Sequence, residues 1–144
     1  MKNISYPRVG IGVLIVNKDN YVLVGKRKSL HAPYFSIPGG HLETGETLID
    51  AAKREVKEET NLEIDSVELL GVSNNLDTYQ LEGKHYVSLI FLAKEYSGEL
   101  LNLEPDKCEG WFWCNPYKIP EPHFEPSRKG ITGFLNLSTY IKEL

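Results

Sequence analysis

Glu55, Glu58 and Glu59 stand together in the run Arg54-Glu55-Val56-Lys57-Glu58-Glu59. On a helix turning by about 100° per residue they fall within one sector, so three carboxylates converge. The plainest account of such a trio is a solvated acidic face. Three details oppose it. Asp50, Lys53 and Lys57 take the opposite, solvent-facing side, whereas Glu59 projects between Ala52 and Val56 on the apolar side. Like charges three or four residues apart cost roughly 0.2 to 0.5 kcal/mol per pair, and these sit in the last turns, where the helix dipole disfavours anions. Ala51 and Ala52 border the sector and are expected to leave space above the helix for ions and phosphate oxygens. Oxygen-only ligands with room for water suit Mg²⁺ or Mn²⁺ better than Zn²⁺.

The elements that must position these groups can be read along the chain. Thr47 to Thr60 contains no Gly or Pro, and Leu48, Ile49, Ala52 and Val56 recur at helical spacing, which predicts a helix. Pro38-Gly39-Gly40 closes an irregular stretch, Ser29 to Ile37, with residues that break regular structure, so a loop is expected to deliver the chain to that helix. Val9 to Val16, a polar turn and Tyr21 to Val24 read as a β-hairpin. Val67 to Val72 and Tyr86 to Ala93 are rich in branched and aromatic residues and read as strands; Trp111 to Trp113 is a short aromatic strand, and Ser127 to Leu144 a final helix. Strands, a helix, more strands and a last helix make an α+β domain rather than a regular βαβ series.

The 144 residues suit one domain spanning 1–144. A hydrophobic share of 41% and a charged share of 25% are those of an ordinary globular chain, and every apolar run is too short to cross a membrane. No signal-peptide segment precedes Arg8, so the cytoplasm is the default location. Cys108 and Cys114 match neither a zinc knuckle nor a redox pair and read as two reduced thiols. A formal net charge of -4 without a basic block argues against duplex nucleic acid as a partner. A small polyanionic substrate fits an acidic chain if a metal ion gathers positive charge where it binds. Gly10-x-Gly12 is not a dinucleotide loop, since Ile15 replaces the third glycine, and Gly25-Lys26 lacks the upstream glycine of a P-loop.

From Gly40 to Leu62 the residues fit the Nudix box, G-x5-E-x7-R-E-U-x-E-E-x-G-U with U apolar. Gly40, Glu46, Arg54, Glu55, Val56, Glu58, Glu59 and Leu62 match, and Asn61 replaces a glycine. Asparagine tolerates the left-handed conformation that ends a helix. The chain therefore resembles Nudix hydrolases. Val9 to Val13, Gly25 to Lys28, Pro38 to Glu43, His85 to Val87 and Glu104 to Trp111 are similar to small Nudix enzymes acting on purine or pterin triphosphates and, in plants, on a prenyl diphosphate.

That resemblance implies a Nudix-type α/β/α sandwich with a mixed β-sheet, commonly in a homodimer. It implies that Glu55, Glu58 and Glu59 hold the divalent cations, that the Gly39 carbonyl is a further ligand, and that Arg54 orients the glutamates. It also makes Glu109, in a loop expected to face the box, a candidate for another carboxylate that binds metal or activates water. The implied reaction is attack by water on a nucleoside triphosphate or related organic diphosphate, releasing nucleoside monophosphate and pyrophosphate from a triphosphate, with Glu55 or Glu109 accepting the proton. Arg27 is a candidate phosphate contact because its fork of donors suits that job. His41 is either a loop anchor or a substrate donor. Tyr34, Phe35 and Phe124 are loop aromatics placed to stack on a base or to cover the core. Two other readings stay open, hydrolysis of ADP-ribose or another dinucleotide and a nucleotide-sensing module without catalysis.

Overall fold

The computed structural model describes residues 4–29 and 31–136. Its core is a four-stranded mixed sheet in the order β4 (Gly39–His41), β1 (Arg8–Ile15), β7 (Tyr86–Ala93), β6 (Glu68–Asn74). β1 runs parallel to β7 and antiparallel to β4. A second sheet takes β3 (Phe35–Ser36), β2 (Val22–Arg27) and β9 (Cys108–Cys114), and the short strands β5 (Glu63–Ile64) and β8 (Tyr96–Ser97) pair with each other. α1 (Leu48–Thr60) packs on one side through a cluster including Ile11, Val13, Ile15, Ala52, Val56 and Phe91. α3 (Glu125–Asn136) packs on the other, where Ile131 and Phe134 join Leu14, Ile37, Ile90 and Leu92. Alternation along β1 feeds both cores, and the result is the expected α+β sandwich.

Several expectations require correction. The expected hairpin of β1 and β2 is reduced to its turn: the Asn17 N–H donates to the Tyr21 carbonyl at 3.0 Å and Val16 bridges Val22, after which β2 departs to pair with β3 and β9 in the second sheet. Gly39 and Gly40 do not break structure but lie in β4. Ala51 and Ala52 are fully buried in the α1 core rather than opening space above the helix. Leu48 and Ile49 belong to the first turn and are exposed, so the buried stripe of α1 starts at Ala51. A short helix, α2 (Leu76–Glu82), was not expected at all; it buries none of its residues and so carries no periodic apolar signal. The last helix begins at Glu125, and the expected extension over 137–144 lies outside the described residues.

α1 is bounded by local chemistry. Thr47 Oγ1 accepts the Asp50 N–H at 3.1 Å. Asn61 adopts φ 67° and ψ 0°, returns its own N–H to the Lys57 carbonyl, and donates its side-chain amide to the Glu99 carbonyl at 3.0 Å. A glycine would provide the turn but not that tether.

The start of α3 is locked to the second sheet by a buried relay. Ile37 N–H donates to Ser127 Oγ at 3.0 Å, and Ser127 and His123 Nε2 are 2.7 Å apart. His123 Nδ1 faces the Pro120 carbonyl at 3.2 Å, so Nδ1 carries the hydrogen and Nε2 accepts from Ser127. Burial pushes the imidazole below the usual histidine range. The folded pKa is thus depressed, and His123 costs the fold stability as pH falls from about 6.5 toward that lower value, because the unfolded chain takes up the proton first. The stability advantage of wild type over His123→Gln should therefore shrink between about pH 7.5 and pH 5 in urea titrations. An advantage that stays constant across that range would contradict this account.

Candidate active site

β4 lies directly under α1. A side chain at Gly40 would overlap the Glu55 carboxylate, and one at Gly39 would overlap the Ile11 carbonyl. Only glycine lets this strand approach both the sheet and the helix. The Gly39 N–H donates to Glu59 Oε2 at 3.3 Å.

Arg54 organises one side of the site. Its guanidinium donates to both oxygens of Glu46, at 3.0 Å to Oε2 and 2.7 Å to Oε1, and to the His41 carbonyl at 2.9 Å. Nη1 reaches Glu55 Oε1 at 2.8 Å and Glu58 Oε2 at 3.3 Å. Glu46 in turn accepts the Glu43 N–H at 2.8 Å, which closes the loop before α1. The Arg54 hydrogen bonds hold the Glu46 carboxyl below the ordinary carboxylate range. A bidentate fork at this junction fixes loop and helix together, a task for arginine rather than lysine.

Electrostatics distinguish the three box glutamates. Glu58 is exposed. Glu55 is raised by burial, with Arg54 pulling the other way. Glu59 is largely buried, as its position between Ala52 and Val56 implied, and burial, reinforced by the charge of Glu55, pushes its carboxyl up to about 8. The Gly39 N–H and the charge of Arg27 only partly oppose this.

A further carboxylate, Glu104, bears on this pair. Glu104 raises both Glu55 and Glu59, whereas Glu109 pairs with Lys26 at 3.3 Å and is 48% exposed. The backbone explains the difference: Leu101 N–H and Leu103 N–H donate to the Thr60 and Glu59 carbonyls, at 2.9 and 3.2 Å, and so bring the chain just before Glu104 against the end of α1. Nothing in the residue types separates the two glutamates; the available signal was the acceptor carbonyls at the helix end, which the loop satisfies.

The remaining candidates divide. Arg27 has its Nε buried, and its charge opposes the rise of the Glu59 carboxyl. Phe35 and Phe124 are neighbours, joined by the Phe124 N–H to Phe35 carbonyl bond at 2.8 Å; Phe35 meets the edge of Phe112, and Phe124 meets His31. Tyr34 is exposed. The His41 ring stacks on Tyr86 with centroids 5.2 Å apart. It lines an open depression of about 360 Å³ with Arg8, Glu43 and Glu46, and none of Glu55, Glu58 and Glu59 reaches that depression.

The donor set suits a hard divalent cation. Glu55, Glu59 and Glu104 concentrate negative charge that Arg54 and Arg27 do not balance at Glu59, and the nearby Gly39 adds a carbonyl oxygen. With Arg54 holding Glu55 and Glu58, no three His, Cys, Asp or Glu side chains among the described residues stand together as a ready metal-binding group.

Residues 6–134 match the NUDIX domain. The chain belongs to the Nudix family. It is 36% identical over 92 residues to an RNA pyrophosphohydrolase of Pelagibacter ubique, covering 64% of this chain and 56% of that protein. It is 40% identical over 89 residues to an ADP-ribose pyrophosphatase of Methanocaldococcus jannaschii, covering 60% of this chain and 50% of that one. The chain thus spans about half the length of these two curated Nudix relatives. A MutT NUDIX hydrolase from Burkholderia pseudomallei superposes with a TM-score of 0.82 at 32% identity, over 90% of this chain and 98% of the other. That likeness over most of both chains carries the Nudix fold.

Proposed function

We propose that this Nudix domain hydrolyses the pyrophosphate linkage of a nucleoside triphosphate or related organic diphosphate, dependent on Mg²⁺ or Mn²⁺. The observation that carries the reading is the Glu59 carboxylate, largely buried beside Glu55, its raised pKa only partly opposed by the Gly39 N–H and Arg27 among the described residues. Glu55, Glu58 and Glu59, with the Gly39 carbonyl and Glu104, would hold the cation. When bound, it supplies charge neutralisation of the phosphate chain and a lowered pKa for water. Arg54 keeps Glu55 and Glu58 on the substrate side of α1, and Arg27 offers its guanidinium to a phosphate oxygen. Water attacks phosphorus, the P–O bond of the anhydride breaks, and Glu55 or Glu104 accepts the proton. Phe35 and Phe124 offer faces for a base.

The two curated relatives differ in what their names say they act on, RNA in one and ADP-ribose in the other. A panel of nucleoside triphosphates, a short 5′-triphosphate RNA, ADP-ribose and prenyl diphosphate, each with Mg²⁺ and with EDTA, separates the alternatives by product. The expected result is pyrophosphate and a nucleoside monophosphate, without a diphosphate intermediate and only with the cation. Two monophosphates released from ADP-ribose would establish the dinucleotide reading instead. Turnover that survives EDTA would overturn the mechanism, and no turnover with cation binding intact would favour a sensing module.

A further inference from the structure

The carbonyls in the last turn of a helix have no partner within it and take the donors that the fold brings to them. At the end of α1 the Glu59 carbonyl takes two, the Leu103 N–H at 3.2 Å and the Trp111 indole N–H at 3.3 Å. Two donors occupy both lone pairs of that oxygen. Leu103 brings the loop that precedes Glu104, and Trp111 brings β9. The far edge of the same indole reaches β2. Trp111 stands opposite Gly25, and a side chain at Gly25 would come within 2.7 Å of Trp111 Cε3 and 2.8 Å of Cζ3. Glycine therefore lets the ring lie across β2 while its N–H edge stays at the helix end. One edge of the indole rests on the second sheet, and the opposite edge holds α1.

Glu59 is gripped at both ends as a result. Its carboxylate accepts the Gly39 N–H from β4 in the first sheet at 3.3 Å, and its backbone carbonyl accepts the Trp111 N–H from β9 in the second. We propose that Trp111 is a positioning residue for the cation site, holding the last turn of α1 and the loop before Glu104 in place through the Glu59 carbonyl, and that Gly25 seats its ring. A shift of the helix end moves the Glu59 carboxylate and Leu103 together, because both depend on one residue. The indole acts through Glu59 rather than on the substrate. Its consequence for cation binding rests on the proposed role of Glu59; the tie between the second sheet and α1 does not.

Trp111→Phe keeps an aromatic ring over Gly25 and removes the donor. Trp113→Phe is the control, the same change two residues along the same face of β9, where the indole stacks on Tyr96 with centroids 5.4 Å apart. Mn²⁺ affinity of the free protein, read by electron paramagnetic resonance, should fall about tenfold in Trp111→Phe and stay within about twofold of wild type in Trp113→Phe. Equal losses at the two positions, or no loss at Trp111, would overturn the proposal. Gly25→Ala should also weaken binding by displacing the ring, and should add nothing further in a protein already carrying Trp111→Phe; losses that multiply would contradict the seat assigned to Gly25. Hydrogen exchange in EDTA reads the tie without the cation. The Leu101 and Leu103 amides should exchange about three- to tenfold faster in Trp111→Phe, beyond any change at the amides of β1, and unchanged exchange at Leu103 would overturn the proposal. Should Trp111→Phe fail to fold, Gly25→Ala carries both measurements with the same expected directions. Wild type that binds no Mn²⁺ would refute the cation role of Glu59, and hydrogen exchange would then decide the tie by itself.

Discussion

Glu59→Gln should lower turnover by two or more orders of magnitude, about 3 kcal/mol or more of transition-state stabilisation, while the cation-free protein stays as stable as wild type or becomes more so. The substitution keeps the shape of the side chain and the N–H bond from Gly39, and removes a negative charge that is largely buried beside Glu55. The pH dependence gives the sign. The folded carboxyl is raised to about 8 from an ordinary 4.5, so its contribution is intact below about 4.5 and is lost as pH rises through the window to about 8. In EDTA, the stability gained by Glu59→Gln should grow across that window, reaching on the order of a few kcal/mol at its upper end. Thermal melts in EDTA at several pH values, beside rates in saturating Mg²⁺, read both effects. A variant that melts several degrees below wild type at alkaline pH yet hydrolyses substrate at nearly the wild-type rate would make Glu59 a structural residue.

Arg54→Ala should damage activity and stability together. Arg54 is the shared partner of Glu46, Glu55, Glu58 and the His41 carbonyl, and it is 23% exposed, so removing it strands carboxylates that face one another. Allowing for partial solvent screening, the expected loss is about 2 to 3 kcal/mol, a fall in melting temperature on the order of 5 to 10 °C. Cation affinity should drop about tenfold or more as Glu55 and Glu58 lose their orientation. Lysine should not restore the function, because one ammonium cannot grip both Glu46 oxygens while reaching the His41 carbonyl. Equal melting temperatures for wild type and Arg54→Ala would show that the ion-pair network is ornamental to the fold.

These contrasting outcomes follow from features that were unequally legible in the sequence. The helix carrying Glu55, Glu58 and Glu59 and the left-handed turn at Asn61 were readable because apolar periodicity and the turn tolerance of asparagine are local rules that survive any tertiary context. Glu104 was not, since the choice between it and Glu109 depends on which loop carbonyls and N–H groups meet the end of α1. The hairpin was legible only as far as its turn, because the partners that β2 takes beyond Val22, β3 and β9, are strands set by tertiary packing. Ala51 and Ala52 looked like open floor because small residues signal close approach without saying what approaches. Here it is the sheet. α2 escaped notice because a helix that buries nothing leaves no pattern to read.

The most direct test of the cation site is Mn²⁺ binding to the free protein, measured by electron paramagnetic resonance without substrate, in wild type and Glu59→Gln. Wild type should bind the ion saturably, and Glu59→Gln should bind it at least about tenfold more weakly, in proportion to the loss of one buried carboxylate ligand. Equal affinity in the two proteins would contradict the assignment of Glu59, and with it the view that this group of carboxylates exists to hold a metal.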